Sequence, residues 1–145
     1  MKSILKVLLA GTAVSVVSAL AAATVWEREV QEQINEASYQ FRHEGFHKIG
    51  QTWIDELEQD DDMYITLELH ADYEYIAIGV CDGDCSDLDL ILYDDEDVRI
   101  ANDVGTDDIP ILAGSPDYDG EYYLEAAMVD CVTETCAFGV ALYAR

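Results

Sequence analysis

Basic residues are scarce in this chain: seven lysines and arginines stand against 31 acids in 145 residues, a formal net charge of −24. So strong an acidic field repels nucleic acid and anionic membrane surfaces, which argues against both as partners. Positively charged partners, divalent cations or a solvated surface suited to high salt remain. Histidine is scarcer still, with three copies. His43 and His47 stand four apart, but Gly45 lies between them and no His-Glu-x-x-His pattern occurs. None of Ser38, Ser86 and Ser115 has a Gly-x-Ser-x-Gly setting. A glycosidase-type carboxylate pair carries no signal, because among 31 acids some pair always lies at suitable distance. There is no low-complexity linker and no repeat of fixed period, so the chain reads as one domain.

Long apolar runs are lacking except at the start. Met1-Lys2-Ser3-Ile4-Leu5-Lys6 is positive, Val7 to Ser18 is apolar, and Ala19-Leu20-Ala21-Ala22-Ala23 is small-residue rich. That order is what the export machinery and signal peptidase read, with cleavage after Ala21 or Ala23. A membrane anchor is the alternative, but the run is short for a span of ~20 residues. Residues 1–23 are therefore expected to be a signal peptide, with the mature chain periplasmic or secreted and without a transmembrane anchor. Removing Lys2 and Lys6 leaves five basic residues against 31 acids, a net charge of −26.

Four cysteines fall in two close pairs, Cys81 with Cys85 and Cys131 with Cys136. In an oxidising compartment an even count reads as disulfides. Local pairing would contribute about 2 kcal/mol per bridge, and a long-range pairing of Cys81 with Cys131 about 4. The short turn Val132-Thr133-Glu134-Thr135 lets its flanking cysteines face each other across a hairpin, which favours the local pairs Cys81–Cys85 and Cys131–Cys136. A zinc site of all four cysteines is the other reading, and export weighs against it.

From Trp26 to about Arg42 the spacing of Val30, Ile34, Ala37 and Phe41 predicts an amphipathic helix with one apolar face, ended by Gly45. The period then changes to two. Ile65, Leu67 and Leu69 alternate with Tyr64, Thr66 and Glu68, and similar runs centre on Ile78, Leu90, Val98, Ile111, Leu124 and Val140. Acidic turn clusters separate them. About seven or eight strands with no intervening helix predict an antiparallel sandwich. The expected division is 1–23 signal peptide, 24–61 helix and lead-in, and 62–145 β-sandwich. Pro110 belongs at a strand start or on an edge strand.

The most distinctive stretch runs from Tyr75 to Asp94, where a strand enters the loop Cys81-Asp82-Gly83-Asp84-Cys85 and leaves through Asp87-Leu88-Asp89-Leu90. Asn102-Asp103, Asp107-Asp108-Ile109-Pro110 and Gly120-Glu121-Tyr122-Tyr123 follow. This pattern resembles the bacterial pre-peptidase C-terminal domain family, over roughly Asp62 to Arg145. The resemblance implies a jelly-roll-like β-sandwich acting as a non-catalytic accessory module of secreted proteins. Some relatives in that family hold calcium and bind extracellular polymers. The chain departs from the family in carrying two cysteine pairs and only a helix ahead of the sandwich.

Asp82, Asp84, Asp87 and Asp89 offer many carboxylate oxygens in eight residues and are candidate calcium ligands, preorganised by a Cys81–Cys85 bridge. The competing reading is that these aspartates accept backbone N–H bonds in turns. The spacing is not that of an EF-hand, since Asp87 stands where the glycine is needed. Tyr64, Tyr73, Tyr75, Tyr93 and Tyr123 fall opposite the aliphatic positions, and such rings anchor sugars or proteins when exposed. The helix is expected to cover them, because its apolar face needs a partner. The function expected is an exported non-catalytic module for binding or adhesion to an extracellular or periplasmic protein or polysaccharide. A structural partner in a periplasmic complex is the alternative, and a small secreted hydrolase a more distant one.

Overall fold

The structure, a computed structural model, describes residues 24–145; the expected signal peptide and its cleavage sites lie outside the described residues. The first element is helix α1 (Val25–His43). Thr24 caps it: the Thr24 hydroxyl accepts from the Glu27 N–H and the Glu27 carboxylate accepts from the Thr24 N–H, a reciprocal capping box. At the other end Gly45 sits at φ 88°, as a helix-stopping glycine should. The Phe46 N–H reaches the Phe41 carbonyl at 3.0 Å and the Gly45 N–H reaches that of Arg42 at 3.1 Å. Both bonds satisfy carbonyls that the helix end would leave without a partner.

Eight strands follow: β1 (His47–Leu57), β2 (Asp62–Leu69), β3 (Tyr75–Cys81), β4 (Cys85–Tyr93), β5 (Arg99–Asp103), β6 (Ile111–Gly114), β7 (Gly120–Cys131) and β8 (Cys136–Ala144). They form two four-stranded antiparallel sheets, ordered β1-β8-β3-β6 and β2-β7-β4-β5. Only β4 and β5 are consecutive neighbours in one sheet; every other connection carries the chain from one sheet to the other. Residues 47–57, assigned from sequence to a lead-in, are thus an edge strand of the first sheet, and the sandwich begins at His47. Pro110 is buried immediately before the edge strand β6, where a missing N–H costs no ladder bond.

The inner faces enclose the main core, with Leu67, Leu88, Leu90, Leu124, Met128, Phe138 and Val140 among its members. A second cluster lies between α1 and the outer face of the first sheet: Val30 and Ile34 meet Ile76, Ile78, Val80, Ala137, Ala141 and Tyr143. Strands β3 and β8 are consequently buried on both faces. Of the helix positions, only Val30 and Ile34 are fully buried, whereas Ala37 and Phe41 are partly covered. The Tyr143 hydroxyl, buried under the helix, donates to Ser38 Oγ at 2.8 Å, and Ser38 in turn donates to the Ile34 carbonyl.

Both local disulfides are present, with Cα separations of 5.9 Å for Cys81–Cys85 and 5.8 Å for Cys131–Cys136. Neither spans a hairpin within one sheet, which corrects the hairpin expected for Cys131 and Cys136. Cys81 ends β3 in the first sheet and Cys85 begins β4 in the second; Cys131 ends β7 and Cys136 begins β8 in the same crosswise sense. Cys85 and Cys131 are paired in the ladder, so the two bridges lie side by side and clamp the sheets at one end.

Gly139 on β8 reports how closely the helix rests on this layer. A Cβ there would fall 2.5 Å from Val30 Cγ1, a β-branched side chain with little rotamer freedom in a helix. Gly139→Ala should therefore lift α1 and destabilise the chain by ~1–3 kcal/mol in urea unfolding. Combining it with Val30→Ala should cost less than the sum of the two single changes, since the shortened side chain removes the clash.

Candidate functional site

The acidic loop divides into two unrelated parts. Asp82 serves the backbone: its Oδ1 accepts from the Asp84 N–H at 3.1 Å and its Oδ2 from the Ala137 N–H at 2.8 Å. The Asp82 N–H in turn donates to the Ala137 carbonyl at 2.9 Å, locking the β3–β4 arch onto the start of β8. Asp84 is exposed in the arch. Asp87 and Asp89 already lie in β4, where alternation turns Leu88 and Leu90 inward and both carboxylates to the outer face of the second sheet. The four candidate ligands are not brought to one point, and among the described residues no three metal-ligating side chains are arranged to hold an ion. They do not fit a single calcium shell.

Asp87 and Asp89 nonetheless stand in an unfavourable place. Each has a buried Oδ1 without a hydrogen-bond partner. Burial, followed by the charges of Asp107 and Asp130, holds the Asp87 carboxyl above its ordinary range. Burial and then Asp87, Asp103, Asp107 and Glu125 do the same to Asp89. Several of these neighbours are occupied elsewhere. Asp103 accepts from the Ile111 N–H at 2.9 Å, Asp107 from the Ile109 N–H at 3.1 Å and Asp130 from Ser86 Oγ at 2.5 Å.

The same outer face carries the tyrosines. The ladder registers set Tyr64 opposite Glu125 and Glu125 opposite Ile91, and in the next row Thr66 opposite Tyr123 and Tyr123 opposite Tyr93. Tyr93 is also paired with Arg99 on the edge strand. Glu125 therefore sits between Tyr64 and β4, and its Oε2 accepts from the Tyr93 hydroxyl at 2.6 Å. The Tyr64 and Tyr93 ring centroids are 6.4 Å apart. Tyr123 donates to Glu121 on its own strand. The hydrogen bond to Glu125, then burial, pushes the Tyr93 phenol up, with Arg99 acting in the opposite direction. Burial and then the charges of Glu125 and Asp62 raise that of Tyr64.

The helix does not cover this face, contrary to expectation. It packs on the first sheet, whose outer positions Ile76, Ile78, Val80 and Ala141 are apolar, whereas the outer face of the second presents carboxylates that an apolar helix would desolvate at a cost. Of the five tyrosines expected on one face, Tyr64, Tyr93 and Tyr123 are there. Tyr75 points into the main core, with its hydroxyl accepting from the His70 N–H at 3.0 Å, and Tyr73 is in the turn before β3. Tyr64 remains 57% exposed.

The remaining reactive groups are scattered. His43 edges against the Tyr39 ring at 4.8 Å, and exposed His70 lies 3.5 Å from Asp119. Ser38 shares a cleft with His47, but its hydroxyl donates to the Ile34 carbonyl at 2.8 Å. Among the described residues no helix is long and apolar enough to cross a membrane. The chain matches no known family model, and no curated protein is similar to it.

A carboxyl that is harder to ionise in the folded than in the unfolded chain leaves the folded chain binding more protons. Stability then falls as pH rises from the ordinary value of 3.8 through the raised one, and the penalty is complete once the pH lies above the raised value. Asp89→Asn should raise the melting midpoint at pH 7, and the advantage should shrink as the pH falls through the carboxylate range. Asp72→Asn, which removes the same charge from an exposed turn, separates this local effect from the overall charge; equal gains in both variants would refute it.

Proposed function

We propose that the chain is an exported, non-catalytic binding module that holds a basic segment of a partner protein against the outer face of its second sheet. The observation that carries this reading is Glu125, set among Tyr64, Tyr93 and Tyr123 on the sheet face that α1 leaves open. A guanidinium or ammonium group placed there meets a carboxylate and the π-faces of tyrosines together. Cation–π contact contributes about 0.5–1 kcal/mol at exposed sites and about 2 when desolvated. Glu121, Asp87 and Asp89 extend the negative potential along the same face. The net charge of −24 adds long-range attraction for a basic partner and speeds encounter at low salt.

Supporting the jelly-roll reading, and with it the resemblance to the pre-peptidase C-terminal family, are the strand orders β1-β8-β3-β6 and β2-β7-β4-β5, in which the chain alternates between sheets. Supporting export are the positive, apolar, small-residue order of residues 1–23 and two disulfides of the kind that persist in oxidising compartments. Assembly into a periplasmic complex would use the same face for a lasting partner.

Titration of a short arginine-rich peptide into the chain at low ionic strength tests the reading. Saturable binding should weaken with added salt. Glu125→Gln and Tyr64→Ala should each reduce affinity by about 5- to 30-fold, corresponding to ~1–2 kcal/mol, with melting midpoints preserved. Unchanged affinity in both variants, or binding of a neutral oligosaccharide at this face in place of the peptide, would overturn it.

A further inference from the structure

We infer that the end of the sandwich opposite the disulfides is a pocket for a small apolar group, alkyl or aryl, carried on a cationic head. The inference is independent of the sheet-face reading, since the pocket opens between the sheets rather than on an outer face.

The pocket has a volume of about 200 Å³ and reaches from the β5–β6 edge into the main core. Its floor and walls are core leucines, Leu69 and Leu124 from the second sheet and Leu112 and Leu142 from the first. Small residues create the space. Ala77 on β3, Ala101 on β5 and Gly114 on β6 occupy inward positions, paired respectively with Leu112, Leu92 and Tyr75. Protein interiors leave few voids larger than a water molecule, and an apolar cavity of ~150 Å³ suffices to take up benzene. Tyr75 is the polar residue of the inner wall, and its hydroxyl accepts from the His70 N–H. The rest of the inner wall is leucine and alanine, so the group that enters is mainly apolar.

The rim selects the head group. Ile100, 45% exposed, gives an apolar lip, while Ser115 and Asp117 border the opening and are exposed to water. A carboxylate or sulfate head would lie beside Asp117 within a field of net charge −24. An ammonium head would be attracted by both, so a fatty acid is disfavoured and an organic cation favoured.

Octyltrimethylammonium, octanoate and tetramethylammonium, each below any micelle-forming concentration, separate the contributions of tail and head. Methyl-resolved NMR of the intact domain should show octyltrimethylammonium shifting Leu124 and Leu142. Octanoate should bind roughly tenfold or more weakly, and tetramethylammonium should leave these methyls unmoved. A Cβ at Gly114 would meet nothing within 4 Å, so Gly114→Leu should keep the fold and place its side chain in the opening. It should reduce binding by about tenfold or more with the melting midpoint unchanged or raised. Ala101→Leu provides a second filling variant, and Asp117→Asn should narrow the difference between octyltrimethylammonium and octanoate. No shift of the leucine methyls by any probe, or full-strength binding by both filled variants, would overturn the pocket. Equal affinity for octanoate would overturn the cationic head.

Discussion

The whole arrangement depends on β3 and β8 being covered on both sides. These strands pair with each other in the middle of the first sheet, and neither offers a polar face to water. One side closes against the second sheet, and the other must be closed by something apolar, which α1 supplies through Val30 and Ile34. Once the helix is committed there, the second sheet is left with an uncovered outer face, and that face carries most of the sheet's carboxylates and exposed tyrosines. Its inward residues are mostly leucine, with isoleucine, methionine, alanine and Tyr122; its outward ones include Tyr64, Tyr93, Tyr123, Glu121, Glu125, Asp87 and Asp89 beside Thr66, Ile91 and Ala127. The position of the candidate binding face thus follows from where the helix buries its apolar residues.

The two bridges impose a second asymmetry. Each joins the end of a strand in one sheet to the start of a strand in the other, and both lie at the same end of the sandwich. Asp82 reinforces that end by bonding both ways with Ala137. At the far end short strands β5 and β6 are the sheet edges, and small inward residues separate the leucines of the two layers. A disulfide constrains mainly the unfolded chain, but here the pair also decides which end of the native sandwich is closed covalently.

Much of this was legible in the sequence because a strand with one buried face advertises itself. In β2 and β7 the alternation of Ile65, Leu67 and Leu69, or of Tyr122, Leu124, Ala126 and Met128, with polar neighbours marks both the strands and their inward sides. The local disulfides were legible from spacing, though not their role across the sheets. Strands buried on both faces give no such direction. Tyr75 reads as the outward partner of Ile76 and Ile78, yet it is the isoleucines that face outward, towards the helix. β1 was faint because it is an edge strand whose register shifts between Ile49 and Trp53, with Gly50 at φ 66°. Glu125 was invisible as one acid among 31; only the ladder register places it beside Tyr64 and within reach of Tyr93.

The aspartates show how composition can point to the right residues for the wrong geometry. Four acids in eight positions suggest a common ligand shell, but a strand begins at Cys85 and imposes its alternation on whatever follows. The acids before it are turn residues, with Asp82 engaged by backbone amides. Those after it become members of a sheet face and acquire neighbours from β7 and from the 103–108 segment. The resulting row of like charges opposes folding rather than supporting it, and each charge retained there leaves a carboxylate oxygen without a donor. Such a face is relieved by positive charge brought from outside. The electrostatic cost borne by the free chain and the attraction offered to a basic partner therefore have the same origin.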